Sequence, residues 1–126
     1  MVDITNTTSH RPYSKEADVA AIKNAILGKR YELSLAYVGE TRARKLNYAY
    51  RKKTYVPNVL SFPLDTTTGE IFICPSRLAK EAPSFAMTPA QYERFLIVHG
   101  CLHLTGLDHG PEMERLEERF SKKFCA

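Results

Sequence analysis

The chain of 126 residues is one domain's worth of sequence, enough for a single hydrophobic core and too short for two, so one domain over residues 1–126 is expected. With 44% hydrophobic and 25% charged residues it falls outside the disordered and fibrous classes. The formal net charge of +4 suits a polyanionic partner such as nucleic acid, though many basic domains bind none.

Val2 and Ile4, alternating with polar residues, predict a short first strand. No basic segment followed by an apolar stretch stands at the N-terminus, so no signal peptide is expected. A helix is predicted from Ser14 to about Leu27, with Val19, Ile22, Ile26 and Leu27 as its apolar stripe and Gly28 as its stop. Residues 31–38 alternate as a strand. A second helix, rich in Arg and Lys, follows Gly39 and runs to about Lys52. Residues 59–63 and 70–74 read as two strands joined by a turn over Asp65–Gly69, forming an antiparallel hairpin. Thr88, Pro89 and Gln91 form a strong helix start, as N-cap, first helical residue and capping-box partner. That helix continues through Leu104 and stops near Gly106. A charged helix from about Pro111 to Phe124 closes the series. The fold class is α+β: a small mixed sheet of about four strands with about five helices. The longest apolar run, Phe95 to Leu104, is about half of the roughly 20 residues a membrane span needs, so a cytoplasmic protein with no membrane partner is expected.

The informative segment is His99-Gly100-Cys101-Leu102-His103-Leu104-Thr105-Gly106-Leu107-Asp108-His109. Residues four apart on a helix lie one turn apart on one face, so His99 and His103 can reach one metal ion. Gly106 tolerates positive φ and lets the chain turn there, which can return His109 to the same face as a third ligand. Three of the four histidines fall in these eleven residues, on an otherwise apolar helix where idle polar groups cost free energy. Tyr92, Phe95 and Leu96 precede them on roughly the same face, so the site is expected at the end of the central helix.

The spacing is that of metzincin proteases, except that Gly100 stands where those enzymes carry a glutamate general base. Three neutral imidazoles leave a zinc ion with its charge and an open fourth position for water, the arrangement of a hydrolase rather than a closed structural site. One zinc per chain is expected, although three imidazoles also suit nickel, copper or iron. Cys101 falls on the far side of the helix from the imidazoles. Asp108 is a candidate ligand, orienting partner or turn cap, and His10 reads as a surface residue. Cys74, Cys101 and Cys125 are odd in number and lack C-x-x-C spacing, so free thiols in a reducing compartment are expected.

Arg42, Arg44, Lys45, Arg51, Lys52 and Lys53 crowd into one stretch with no acidic residue among them, interleaved with Tyr48, Tyr50 and Tyr55. Two readings are open. One is a solvated helix face with the tyrosines in the core. The other is an RNA surface on which cations meet phosphates and rings stack on unpaired bases.

Four blocks carry a resemblance. They are Leu46-Asn47-x-x-Tyr50-Arg51-x-Lys53, Asn58-Val59-Leu60-Ser61-Phe62-Pro63, Gly69-Glu70-Ile71-x-Ile73-Cys74, and the histidine segment with its Gly100 and Asp108. In this order the chain resembles the YbeY family of bacterial endoribonucleases and ribosomal RNA maturation factors, departing from it at Pro57, Glu70 and Leu107. The resemblance implies zinc-dependent cleavage of single-stranded RNA, with a role in maturing the 3′ end of 16S ribosomal RNA and in ribosome quality control. It implies the small ribosomal subunit and its proteins as partners, with no DNA expected. It implies zinc on His99, His103 and His109, and Arg51 in the active-site cleft, where a guanidinium would clamp a phosphate. An activated water would attack phosphorus or take the proton of the 2′-hydroxyl, and both routes stay open. Two other readings remain: a metallopeptidase with a substitute base, and a non-catalytic RNA- or ribosome-binding module stabilised by zinc.

Overall fold

The computed structural model describes residues 2–126. Its elements, in chain order, are β1 (Val2–Asn6), α1 (Glu16–Leu27), β2 (Glu32–Tyr37), α2 (Glu40–Arg51), β3 (Val59–Pro63), β4 (Thr68–Ile73), α3 (Pro75–Glu81), α4 (Pro89–Leu104) and α5 (Pro111–Phe124), with a short 3-10 turn over Ala82–Phe85. The four strands form one mixed sheet in the order β1-β2-β4-β3. β1, β2 and β4 run parallel, and β3 pairs antiparallel to β4 as the expected hairpin.

Successive strand residues point to opposite faces, so the sheet separates two apolar clusters. On one face Leu33, Leu35, Tyr37, Ile71 and Ile73 pack against Val19 and Ile22 of α1 and Ile97 and Cys101 of α4, all fully or almost fully buried. A fully buried aliphatic side chain contributes roughly 1.5–3 kcal/mol, so this cluster dominates stability and fixes where α4 lies. On the other face Val38, Leu60, Phe72 and Cys74 pack against Ala43 of α2.

Three details depart from the sequence expectations. Helix α1 begins at Glu16 rather than Ser14. The buried carboxylate of Glu93 on α4 captures the backbone N–H groups of Tyr13 and Ser14, at 2.9 and 3.0 Å, and holds both residues outside the helix. Strand β4 begins at Thr68, so Gly69 belongs to the strand and not to the turn. A Cβ at Gly69 would overlap the Tyr31 hydroxyl and the Leu104 side chain, so glycine serves close packing there. The turn is closed by Asp65, whose carboxylate accepts from the Thr67 N–H and from the Thr67 and Thr68 hydroxyls. Finally, α3 is a helix that the sequence expectations do not include; it starts from Pro75 and buries Leu78.

Helix α4 has the expected start. The Gln91 N–H donates to Thr88 Oγ1 at 3.2 Å, and the Thr88 N–H donates to Gln91 Oε1 at 2.9 Å. Helix α5 has Glu112 and Glu114 in its first turn and Lys122 and Lys123 in its last, matching the helix dipole. Its inward stripe runs through Met113, Leu116, Phe120 and Phe124.

Candidate metal centre

His99 and His103 lie in the last turns of α4, both partly buried, and His109 stands exposed in the turn before α5. Helix α4 is capped by Thr105. Gly106 takes φ +100° while its N–H closes onto the His103 carbonyl at 2.9 Å. That left-handed residue reverses the chain, and the three imidazoles converge: their ligand atoms all lie within 4.8 Å of one another.

The two helical imidazoles are oriented from behind. His99 Nδ1 lies 2.7 Å from Glu117 Oε2, and His103 Nδ1 lies 2.9 Å from the Leu107 carbonyl oxygen. Both partners are acceptors, so each Nδ1 carries the proton and each Nε2 presents a lone pair. The two Nε2 atoms face each other at 3.0 Å. Two lone pairs at that distance repel unless a cation lies against both. The donor set therefore fits a divalent ion: three imidazole nitrogens brought together, two of the rings with their outer nitrogens already fixed by acceptors. Burial, followed by the neighbouring His99 and His109, holds the His103 imidazole below its ordinary pKa, which favours the neutral form a metal needs.

The imidazoles open into a cleft of about 520 Å³. The same cleft is lined by Arg51 and Tyr55, from the end of α2 and the loop after it, with Asn58 just before β3 and Ser61 in its middle. Arg51 is exposed. Lys52 ends α2 in the left-handed region at φ 58°. The following loop is pinned by Asn47, fully buried, whose Nδ2 donates to the Tyr55 carbonyl at 3.0 Å. Asn58 Nδ2 donates to Glu81 Oε1 at 2.9 Å, and the Tyr92 hydroxyl donates to the same oxygen at 2.7 Å.

The structure thus brings together His99, His103, His109 and Arg51 around one cleft. Asp108 is exposed at the cleft mouth and bonds neither helical imidazole; the carboxylate behind His99 is Glu117. Sequence reasoning missed Glu117. Its signal was present: it lies four residues after Met113 and three before Phe120, so a carboxylate occupies the buried stripe of α5. Cys101 is fully buried on the sheet side of α4, and all three cysteines are free and buried. His10 is exposed, as expected. Tyr48, Tyr50 and Tyr55 are 53–68% exposed, which excludes the reading that put them in the core.

Residues 3–124 match the family model described as Endoribonuclease YbeY. The chain belongs to the YbeY family. Among curated relatives of that name, the Bordetella petrii protein is 46% identical over 85 residues, covering 64% of this chain and 55% of that protein. The Polynucleobacter asymbioticus protein is 41% identical over 100 residues, covering 72% and 64%. The Finegoldia magna protein is 39% identical over 100 residues, covering 74% and 65%. The chain thus spans about 55–65% of the length of these YbeY relatives. The solution structure of TM1509 from Thermotoga maritima shares the fold, with a TM-score of 0.68 at 23% identity over 98% of this chain and 89% of that one.

Proposed function

We propose that this chain is a zinc-dependent endoribonuclease for single-stranded RNA, with one zinc per chain held by His99, His103 and His109. The observation that carries the reading is a single cleft lined both by three imidazole donors and by Arg51 and Tyr55. Family membership supports RNA as the substrate.

A zinc ion held by His99, His103 and His109 would supply Lewis-acid chemistry, lowering the pKa of a water and neutralising charge on a phosphoryl oxygen. Glu117 and the Leu107 carbonyl hold the His99 and His103 rings in the ligating tautomer and orientation. The Arg51 guanidinium clamps the substrate phosphate through two parallel N–H bonds and stabilises the charge that develops on phosphorus. Tyr55 offers a ring to an unpaired base, which a base inside a duplex could not meet. Arg44, Lys45, Lys52 and Lys53, all exposed, extend the phosphate track along and beyond α2.

The cellular reading follows the family: maturation of the 3′ end of 16S ribosomal RNA and ribosome quality control, in the cytoplasm, on the small subunit and its proteins, by one domain over residues 1–126. No helix among the described residues is long and apolar enough to cross a membrane. The peptidase reading loses ground at Gly100, where a Cβ would meet Ile71 Cδ1 at 2.8 Å and Ser61 Oγ at 2.9 Å, leaving no room for a glutamate base.

The test pairs metal analysis of purified protein with cleavage of a labelled single-stranded RNA, for wild type and His103→Ala. One zinc per chain, with metal and cleavage lost together in the variant, is the expected result. Zinc bound with no cleavage of free or ribosomal RNA would overturn the nuclease in favour of a zinc-stabilised binding module.

A further inference from the structure

The side of the sheet that faces α4 is apolar along β2 and β4: Leu33, Leu35 and Tyr37 in one strand, Ile71 and Ile73 in the other, all at most 1% exposed. In β3 the same row continues through Val59, paired with Ile73, and then Ser61, paired with Ile71. A hydroxyl in that row breaks the pattern. An aliphatic side chain would complete it and bury more apolar area.

The Ser61 hydroxyl has no hydrogen-bond partner within the protein among the described residues, and it is not sealed in the core. It opens into the cleft beside His99 and His103. A polar group without a protein partner in such a place costs stability unless water or a ligand meets it.

Gly100 supplies the second, independent observation. Helix geometry places residue 100 about 100° from His99 and about 60° from His103 around the axis, next to the metal-facing side. Its missing Cβ lets α4 settle onto β3 so closely that a methyl there would stand 2.9 Å from Ser61 Oγ. The position from which a helix of this spacing would extend a carboxylate base is occupied instead by a neutral hydroxyl from the neighbouring strand.

We propose that Ser61 is a substrate-contacting residue whose hydroxyl donates a hydrogen bond to a non-bridging oxygen of the scissile phosphate, strengthening as charge accumulates on that oxygen. The inference rests on the ribonuclease reading and deepens it at the same cleft. The hydroxyl stays protonated throughout; no bond to serine forms. Its contribution is that of a fixed dipole aimed at developing charge, and removal of one such donor typically costs on the order of a hundredfold in rate. Such a donor acts mainly in the transition state, so its loss lowers kcat and leaves KM nearly unchanged.

The experiment compares wild type, Ser61→Ala and Ser61→Thr, each with its zinc content measured. Ser61→Ala removes only the hydroxyl from a packed strand. Expected are unchanged zinc, a KM within about twofold and a kcat lower by on the order of a hundredfold, with Ser61→Thr recovering most of the rate. A second readout is orthovanadate, which mimics five-coordinate phosphorus; its affinity, followed by vanadium NMR, falls about tenfold or more in Ser61→Ala, in line with a lost charge-assisted hydrogen bond. Ser61→Ala that keeps both its rate and its vanadate affinity would overturn the proposal while leaving the nuclease standing. Wild-type protein that cleaves no RNA would sink the nuclease reading itself, and the vanadate comparison would still decide whether Ser61 donates to such an oxygen.

Discussion

Glu117 Oε2 and His99 Nδ1 lie 2.7 Å apart across the α4–α5 interface. This bond ties a ring of the candidate metal centre to a helix that adds no imidazole to the cluster. The Glu117 side chain is only 14% exposed, so the bond is shielded from competing water. Glu117→Gln keeps the shape and loses the charge. Loss of such an orienting partner typically lowers metal affinity 10–100-fold. Competition with a fluorescent zinc chelator will show that drop, and the far-ultraviolet circular dichroism of the zinc-loaded variant will match wild type.

Arg51 and the more distant cations separate by readout. Arg51→Ala is expected to lower kcat on the order of a hundredfold or more with zinc retained, because on the proposed reading the guanidinium meets charge formed during reaction. Arg44→Ala and Lys45→Ala lie outside the cleft lining and are expected to weaken RNA binding only, with a shallower dependence on salt. Steady-state kinetics at two salt concentrations distinguish the two patterns.

Tyr55→Ala removes a ring that stacking on a base would make worth roughly 1–3 kcal/mol, and Tyr55→Phe keeps it. The expected outcome is a KM for single-stranded RNA raised about 5- to 150-fold in the first variant and near wild type in the second. An oligonucleotide lacking the base next to the cleavage point will show the same penalty with wild-type protein and no further loss with Tyr55→Ala.

Much of the metal centre is legible in the sequence because it is local. His99 and His103 need only helix geometry, and His109 needs only Gly106 to turn the chain. What could not be read depends on which elements pack together. Glu117 is one of several glutamates in α5 and gains its role from the contact with α4. Ser61 and Gly100 become a pair only when β3 lies under the helix. Ser14 has the chemistry of an N-cap, yet a carboxylate 79 residues away takes its backbone N–H instead. The tyrosines of the basic stretch could not be assigned to core or surface until α2 was seen to use Ala43 and Asn47, and not its rings, as the residues it buries.

Gly100→Ala forces Ile71 Cδ1 and Ser61 Oγ to give way in a packed layer, a change that costs about 1–3 kcal/mol. Combining it with Ser61→Ala removes one of the two obstructions. The double variant is therefore expected to be more stable than the sum of the single effects, which chemical denaturation will measure as a coupling energy.

Alkaline pH tests the buried tyrosines. Burial, with the adjacent Glu81 carboxylate, pushes the Tyr92 hydroxyl up from 10.0 to about 12, and burial with Glu93 raises Tyr37 as well. A raised folded-state pKa means that this stability is complete below pH 10 and is lost as pH climbs from 10 towards 12. Urea midpoints will fall over that window, and by less in Tyr92→Phe, where one of these ionisations is gone.

The three imidazoles and the carboxylate behind them all lie between residues 99 and 117, whereas the remaining cleft-lining residues, from Arg51 to Ser61, come from an earlier stretch of chain. Ion capture and substrate choice are therefore written in separate lengths of chain. Closing the 99–117 stretch on itself costs little loop entropy. On the proposed reading, the 51–61 stretch can change its residues, and with them the RNA it accepts, without retuning the ion. A fold of this kind is a fixed reactive edge set against an interchangeable one.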